Sequence, residues 1–360
     1  MKRISWLAAA CVAGFGVARL AAADRFRSIE APVTPLLTFT PHVAVAALSC
    51  PVLLRRKSAA LPAALTGAAL AAVVLPRAAR SAQPPADGPV LRVVTANLMR
   101  GNASEEAIIS LVRRSAADVL FVQEITDAAV DRFKHAGLTD LLPHQVIDTG
   151  GEALSGSGIY ARFPLSNGLT LTPISVAQPT ARLDLPSGHF ADLVCVHPHP
   201  PKPLWSRPNI ARWRRELTVL PPPADPGVHP PRVLAGDFNA TADHVSFRRL
   251  LRLGHVDAAI EAGQGLVPTW APWGSPGLLT IDHVLLDPRC AVLGASVHPL
   301  PGSDHLAVYA EFRLPRLTRL LPGELREPAA APSMCAVLGV QSVLSRATRH
   351  ARASSRSRRR

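Results

Sequence analysis

Five times between Leu91 and His305 a polar cluster stands at the boundary of a strand-like apolar run, and this repetition constrains the fold more than any other feature of the chain. Gly236-Asp237-Phe238-Asn239 follows Arg232-Val233-Leu234-Ala235, and Asn97 follows Leu91-Arg92-Val93-Val94-Thr95-Ala96. Gln123-Glu124 follows Val119-Leu120-Phe121-Val122, and His197 follows Leu193-Val194-Cys195-Val196. The fifth is a pair, Ile281-Asp282-His283 with Ser303-Asp304-His305. Short runs of β-branched and apolar residues predict buried strands, and functional groups gather where strands hand over to loops. Helical patterns at Glu105 to Ser115 and Ser206 to Leu220 alternate with these strands, which predicts an α/β fold.

In order, Asn…Gln-Glu…His…Gly-Asp-Phe-Asn…Ile-Asp-His…Ser-Asp-His over one domain's length, the set resembles the endonuclease/exonuclease/phosphatase superfamily. That superfamily includes DNase I-like nucleases, inositol polyphosphate 5-phosphatases and bacterial sphingomyelinases. The resemblance covers Pro89 to Leu314. It implies a four-layer α/β sandwich, two mixed β-sheets flanked by helices, and a metal-dependent phosphoester-cleaving site.

The same resemblance implies roles. Glu124 would be the principal metal ligand, supported by Asn97 and Asp304. The ion would be Mg²⁺, with Mn²⁺ the alternative, because hard divalent ions take carboxylate and carbonyl oxygens. Asp237 would align the attacking water and Asn239 would bind a phosphoryl oxygen. His305, held in one tautomer by Asp282, would reach the scissile phosphate, and His197 would face it as a second imidazole. Arg162, in Gly158-Ile159-Tyr160-Ala161-Arg162-Phe163-Pro164-Leu165, is a candidate phosphate contact, with structural ion pairing as the other reading. Trp270 and Trp273 are candidates for the substrate rim. Side-chain alternation puts His283 opposite Asp282, as a packed residue, and Trp213 on the apolar face of a helix.

The net charge of +13 invites a nucleic-acid reading, but its distribution does not support one. Residues 1–89 hold ten Lys/Arg against three Asp/Glu, and residues 316–360 hold ten against two. That leaves nineteen against twenty-one in residues 90–315, whereas gripping a phosphate backbone calls for a basic face. Five cysteines without paired spacing imply neither a disulfide framework nor a zinc site.

Three apolar stretches open the chain: Ile4 to Ala23, interrupted by Arg19, then Ala31 to Leu54 and Ser58 to Pro76. Each approaches the roughly 20 residues that span a bilayer. Lys2-Arg3 and Arg55-Arg56-Lys57 flank them, and positive charge stays in the cytoplasm, so three crossings export everything after Pro76. The first stretch also fits a cleaved signal peptide, which leaves the orientation unchanged.

The expected organisation is therefore a membrane anchor with three transmembrane helices over residues 1–80 and a Pro-rich linker over 81–88. A catalytic domain over 89–314 and a basic, disordered tail over 315–360 follow. The expected protein is a multi-pass cell-membrane phosphoesterase with an extracytoplasmic domain. Its partners are the membrane and a phosphoester: a lipid head group, a nucleotide or an envelope phosphoester. A nuclease of the same fold is the disfavoured alternative, and a catalytically inactive envelope binding module is the other. No obligate protein partner is evident.

Overall fold

The apolar runs become strands buried on both faces, and two stacked sheets bury them. A computed structural model describes residues 2–53, 57–150, 156–171, 176–202, 206–225, 229–272 and 275–316. Its strands are β1 (Val90–Asn97), β2 (Val119–Ile125), β3 (His144–Asp148), β4 (Gly156–Ala161), β5 (Leu165–Thr170) and β6 (Pro179–Leu185). They continue with β7 (His189–Val196), β8 (Arg232–Asp237), β9 (Val256–Asp257), β10 (Asp282–Leu286), β11 (Ala291–His298) and β12 (Ala307–Arg313). One six-stranded sheet has the order β11-β12-β1-β2-β4-β3 and the other β5-β6-β7-β8-β10-β9. In each sheet the central pair, β1 with β2 and β7 with β8, is parallel, and the other neighbours are antiparallel.

Alternation along each strand divides its side chains between two cores. Leu91, Val93 and Phe121 point between the sheets, against Leu193, Val233 and Val284 of the opposing sheet. Val94, Leu120 and Val122 point outward, onto Ile108 and Val112 of α5 (Glu105–Arg114) and Phe133 of α6 (Asp127–His135), with the short α7 (Leu138–Leu141) beside them. On the far side Val196 and Leu234 pack on Trp213 and Leu217 of α8 (Arg207–Thr218) and on Phe247 and Leu250 of α9 (Val245–Arg252). A last turn, α10 (Ala258–Glu261), follows β9. Helix, sheet, sheet and helix make the expected four-layer sandwich. Each fully buried Leu, Val or Phe contributes about 1.5–3 kcal/mol, so the strand ends are held rigidly.

The N-terminal region differs from its sequence reading. Three helices are present, α1 (Lys2–Leu20), α3 (Thr40–Leu53) and α4 (Lys57–Val74), with a short α2 (Glu30–Leu37) between the first two. Ala31 to Leu54 is therefore not one straight span: Glu30–Leu37 and Thr40–Ser49 meet at 73°. Pro41 disfavours a helical Thr40 continuing from α2, and Thr40 Oγ1 donates to the Leu37 carbonyl (2.7 Å). Among the described residues one helix, Ala60–Ala78, is long and apolar enough to cross a membrane, or two if the bent pair counts as one span. Arg55, Arg56 and residues 317–360 lie outside the described residues.

The linker over 81–88 lies along the domain. Ser81 N donates to the Glu261 carbonyl, Gly88 N to the Leu314 carbonyl, and Val292 N to Gln83 Oε1. The strap satisfies its own backbone on the edge of the sandwich.

The helices dock on the sandwich through charge. Arg19 Nε donates to Asp243 Oδ1 (2.6 Å), while Arg77 grips both oxygens of the same carboxylate (2.7 and 2.8 Å). Asp24 Oδ2 accepts from Val245 N at the start of α9, and Glu30 pairs with Arg214 of α8. His244 accepts at Nδ1 from Thr241 N (2.9 Å) and therefore donates from Nε2 to the Thr34 carbonyl (3.0 Å). Burial lowers its pKa and keeps it neutral in that tautomer.

Burial works against the Asp243 carboxylate, but Arg77 and Arg19 outweigh it and hold its pKa below the usual range. Asp243→Asn would leave two buried guanidinium groups without a counter-charge, and breaking such a pair costs about 3–5 kcal/mol. In detergent, the variant full chain should melt several degrees lower and be cut by trypsin after Arg19 and Arg77, which are buried in the wild type. An unchanged melting temperature and digest would show that the triad does not hold the helices.

Candidate active site

Topology brings the five polar clusters to one place. Because β1 and β2 run parallel, Asn97 and Glu124 stand at neighbouring C-terminal ends. The same holds for β7 and β8, which end at His197 and Asp237. β10 runs antiparallel to β8 and pairs Asp282 directly with Asp237. β12 runs antiparallel to β1, so Asp304 and His305, just before it, return to the end of β1. The site therefore sits on the seam where both sheets expose the ends of their central strands.

Glu124 reaches this seam through a bulge. Its φ is +54°, and the β2–β4 register shifts between Gln123 and Ile125. Gln123 stays in the core, bonded to Thr95 and Cys195, while Glu124 turns out and keeps a side chain 25% exposed. A non-glycine residue rarely adopts this conformation unless its surroundings impose it. Asn97 Nδ2 donates both to Glu124 Oε1 (3.3 Å) and to Asp237 Oδ2 (3.1 Å), joining the two sheets across the cleft. Arg100 N donates to Glu124 Oε2 (2.9 Å).

Gly236 permits the approach on the other side. A Cβ there would lie 1.9 Å from the Val196 carbonyl oxygen, so any side chain would push β8 from β7. Phe238 is fully buried, edge-on to Phe247 and His283, while Asp237 Oδ1 accepts from Asn239 N (2.7 Å). Asn239, at φ +49°, spends one amide hydrogen on the Pro198 carbonyl (3.1 Å) and has a second for a ligand.

His305 lies between two carboxylates. Its Nδ1 sits 3.0 and 3.1 Å from the oxygens of Asp282, and its Nε2 sits 3.8 Å from Asp237 Oδ2. Burial opposes a charged imidazole, yet Asp282 and then Asp237 outweigh it and raise its pKa to about 10. Burial, reinforced by Asp282, raises the pKa of Asp237 in turn, against the pull of His305. At neutral pH the cleft holds an imidazolium beside a carboxylate more basic than usual.

Two positioning residues support these groups, and of them only Ser303 stands in one of the sequence clusters. Thr269 Oγ1 donates to Asp282 Oδ2 (2.7 Å) and accepts from Asp282 N. Ser303 Oγ donates to the Asn97 carbonyl (2.8 Å) and accepts from His305 N. A Thr thirteen residues before its carboxylate partner has no spacing signature.

Not every expected residue reaches the cleft. Arg162 follows β4, which runs antiparallel to β2, so it lies at the opposite end of that strand from Glu124. There it pairs with Asp118 (3.2 Å) and the Ala117 carbonyl: it is a structural ion pair, not a phosphate contact. Trp270 does reach the site, bridging to His305 and donating from Nε1 to Asp304 Oδ2 (2.9 Å). Trp273 lies outside the described residues. His283 is structural, held by Asp257 (2.7 Å) and the Ala240 carbonyl, and Trp213 is core.

The residues present fit a hard divalent ion. Glu124 offers a partly exposed carboxylate beside the Asn97 amide, open to an ion that keeps several waters. His197 Nδ1 is buried without a hydrogen-bond partner among the described residues, while its Nε2 lies 3.9 Å from Glu124 Oε1. Asp237, Asp282 and His305 also bring one ligand atom each within 4.8 Å of the others. There, however, the imidazole already bonds Asp282, and all three side chains are buried.

Residues 94–305, more than half of the chain, match the Endonuclease/Exonuclease/phosphatase family. The chain belongs to that family. Its members are phosphoester hydrolases, acting as phosphodiesterases, nucleases or phosphatases and commonly dependent on metal ions. An endonuclease/exonuclease/phosphatase from Beutenbergia cavernae superposes with a TM-score of 0.50 at 20% identity, over 63% of this chain and 72% of that one. A humanized D. rerio TDP2 does so with a TM-score of 0.50 at 18% identity, over 62% of this chain and 99% of that one. At such identities the likeness is one of fold. No curated protein matches the chain.

If Asp282 acts only by orienting His305, the two residues form one unit and their losses do not add. His305→Ala should lower turnover on the order of 10²–10⁴-fold, and adding Asp282→Asn should lower it little further. The cycle is read on the full chain with melting temperature alongside. Multiplicative losses in well-folded variants would mean that the two residues work separately.

Proposed function

We propose that the chain is a membrane-anchored, divalent-metal-dependent phosphoesterase that hydrolyses a phosphodiester or phosphomonoester with an activated water. The observation that carries this reading is His305 fixed by Asp282 at one nitrogen, with the other facing Asp237 at 3.8 Å across a cleft that Glu124 also borders.

Asp237 aligns the water and takes its proton, a task that its raised pKa suits. His305 donates a hydrogen bond to the phosphoryl group as charge builds up during in-line displacement. His197 and the free amide hydrogen of Asn239 are further donors at the same place. Glu124 would hold the metal ion, with Asp304 as a further oxygen donor of the family pattern, while Asn97, whose Nδ2 faces Glu124 and whose Oδ1 accepts from Met99 N, would orient Glu124 and not ligate the ion. Bound there, Mg²⁺, or Mn²⁺ in its place, would supply Lewis-acid polarisation of a phosphoryl oxygen.

Charge argues against nucleic acid as substrate. With nineteen Lys/Arg against twenty-one Asp/Glu over residues 90–315, the catalytic domain lacks the cationic balance that phosphate backbones select.

Membrane anchoring rests on how the N-terminal helices divide their surfaces. Among the described residues, thirteen of the eighteen exposed large hydrophobic ones fall within residues 1–78, whereas Arg19, Asp24, Glu30 and Arg77 are buried against the catalytic domain. Gly67 in α4 packs on α3 so closely that a Cβ would meet Leu48 N at 2.9 Å, the small-residue contact favoured between helices in lipid. α1 and α4 are each about 27–28 Å long, near the hydrocarbon thickness of a bilayer. Lys2 and Lys57 begin these two helices at the ends remote from Arg19 and Arg77. Positive charge at the remote end puts that end in the cytoplasm and the catalytic domain outside.

Two measurements test this reading. Glu124→Gln keeps size and removes one ligand charge, so a magnesium titration of phosphodiester hydrolysis should need at least about tenfold more metal, with the melting temperature nearly unchanged. A wild-type titration curve would remove Glu124 from the metal site. Separately, a tag fused to the C-terminus should be cut by protease added to intact cells. A tag protected until the membrane is permeabilised would reverse the topology.

A further inference from the structure

A cavity of about 560 Å³ opens beside the catalytic residues, and its walls come from two parts of the chain. His305 and Asn239 form its polar end. Its walls are Ile281, Leu279 and Trp270 of the sandwich together with Pro35, Thr38 and Phe39 of the N-terminal helices, and His244, whose two ring nitrogens are already bonded to Thr241 N and the Thr34 carbonyl. Lys202 stands at the rim with its ammonium 5.7 Å from the centre of the Trp270 ring. A volume of this size with few polar groups at one end is the form of a small-molecule site. Here the polar end is the hydrolytic site itself.

The outer wall is the elbow between α2 and α3. There Phe39 lines the cavity while remaining 40% exposed, and Leu36 beside it is 47% exposed. The cavity thus runs from the catalytic imidazole to the apolar surface of the helices read above as membrane-embedded. The elbow is held at the mouth by the Arg19–Asp243–Arg77 triad and by the His244 bond to the Thr34 carbonyl, so the wall is built in.

We infer that this cavity holds the hydrocarbon part of an amphiphilic phosphoester, so that the substrate is a lipid-linked phosphate whose tail lies along Phe39 and Ile281 and whose phosphorus faces His305. The inference rests on the phosphoesterase reading. The occupant follows from continuity: one end of the cavity recognises phosphate, the other is apolar, and the wall between them leads to the exposed apolar helices. A polar alcohol such as a sugar or nucleoside would leave its hydroxyls unpaired against Pro35, Phe39, Leu279 and Ile281. The tail adds no step to the chemistry: water attacks phosphorus, the P–O bond to the leaving alcohol breaks, and that oxygen takes a proton.

The test uses two probes that differ only in the group retained on phosphorus, 4-nitrophenyl methyl phosphate and 4-nitrophenyl dodecyl phosphate. Both are turned over by the full chain in the same detergent micelles with Mg²⁺ or Mn²⁺. The dodecyl ester should show a kcat/KM at least about a hundredfold higher, on the order of what four buried methylenes supply. Phe39→Asn should lower that ratio about tenfold or more, and Phe39→Leu should keep it. Turnover of both esters at similar kcat/KM would overturn the lipid assignment and leave the phosphoesterase reading standing. A high ratio that Phe39→Asn does not change would move the tail out of this cavity and overturn the assignment as well. Turnover of neither ester with either metal would overturn the assignment and the phosphodiesterase form of the reading beneath it.

Discussion

One carboxylate against two guanidinium groups sets how the N-terminal helices sit on the sandwich. Asp243 is 0% exposed and pairs with Arg19 from the end of α1 and Arg77 beyond the end of α4. Two arginines more than fifty residues apart in the chain, Arg19 and Arg77, are thereby brought to one point. Buried charges tolerate only a paired and hydrogen-bonded arrangement, so this contact fixes the bundle by direction as well as by position. The α2–α3 elbow, the wall that Phe39 gives the cavity and the orientation of the apolar outer surface all follow from it.

The sandwich has its own organising constraint, two parallel strand pairs whose ends meet on one seam. Parallel pairing sends Asn97 and Glu124 out together, and likewise His197 and Asp237. Asn97 then ties the two sheets by donating to a carboxylate on each. The chemistry available there is set by burial. Asp237, Asp282 and His305 are nearly out of contact with water, so the two carboxylates keep His305 protonated, while burial makes Asp237 more basic against the pull of that imidazole. Glu124, left partly exposed, suits a hydrated ion better than that closed cluster does.

Much of this was legible in the sequence, for physical reasons. Strands buried on both faces must read as apolar runs, and the polar clusters sit at their ends, so the residues that converge on the seam, Asn97, Glu124, His197, Asp237 and the Asp282–His305 pair, could be picked out as candidates. Arg162 illustrates what strand ends alone cannot give: β4 reverses direction relative to β2, which carries its end away from the cleft. Thr269 was unreadable as a positioning residue because its partner is distant in sequence and its residue type is common, and Ser303, though it stands in the Ser-Asp-His cluster, gave no sign that its hydroxyl bonds the Asn97 carbonyl. The break between α2 and α3 was marked by Pro41, yet hydropathy over Ala31 to Leu54 reads as continuous. The docking of Asp243 left no trace, since a carboxylate in a loop reads as a solvated one until Arg19 and Arg77 are seen to cover it.

On the proposed mechanism, water activated at Asp237 attacks phosphorus in this cleft. That attack is tested most directly by running turnover of a phosphodiester in ¹⁸O-labelled water with the full chain and Mg²⁺, wild type beside Asp237→Asn. One labelled oxygen per turnover in the phosphate-bearing product, with turnover reduced on the order of 10²-fold or more in the variant, is the predicted result. Label in the released alcohol, or undiminished turnover in a folded Asp237→Asn protein, would contradict it.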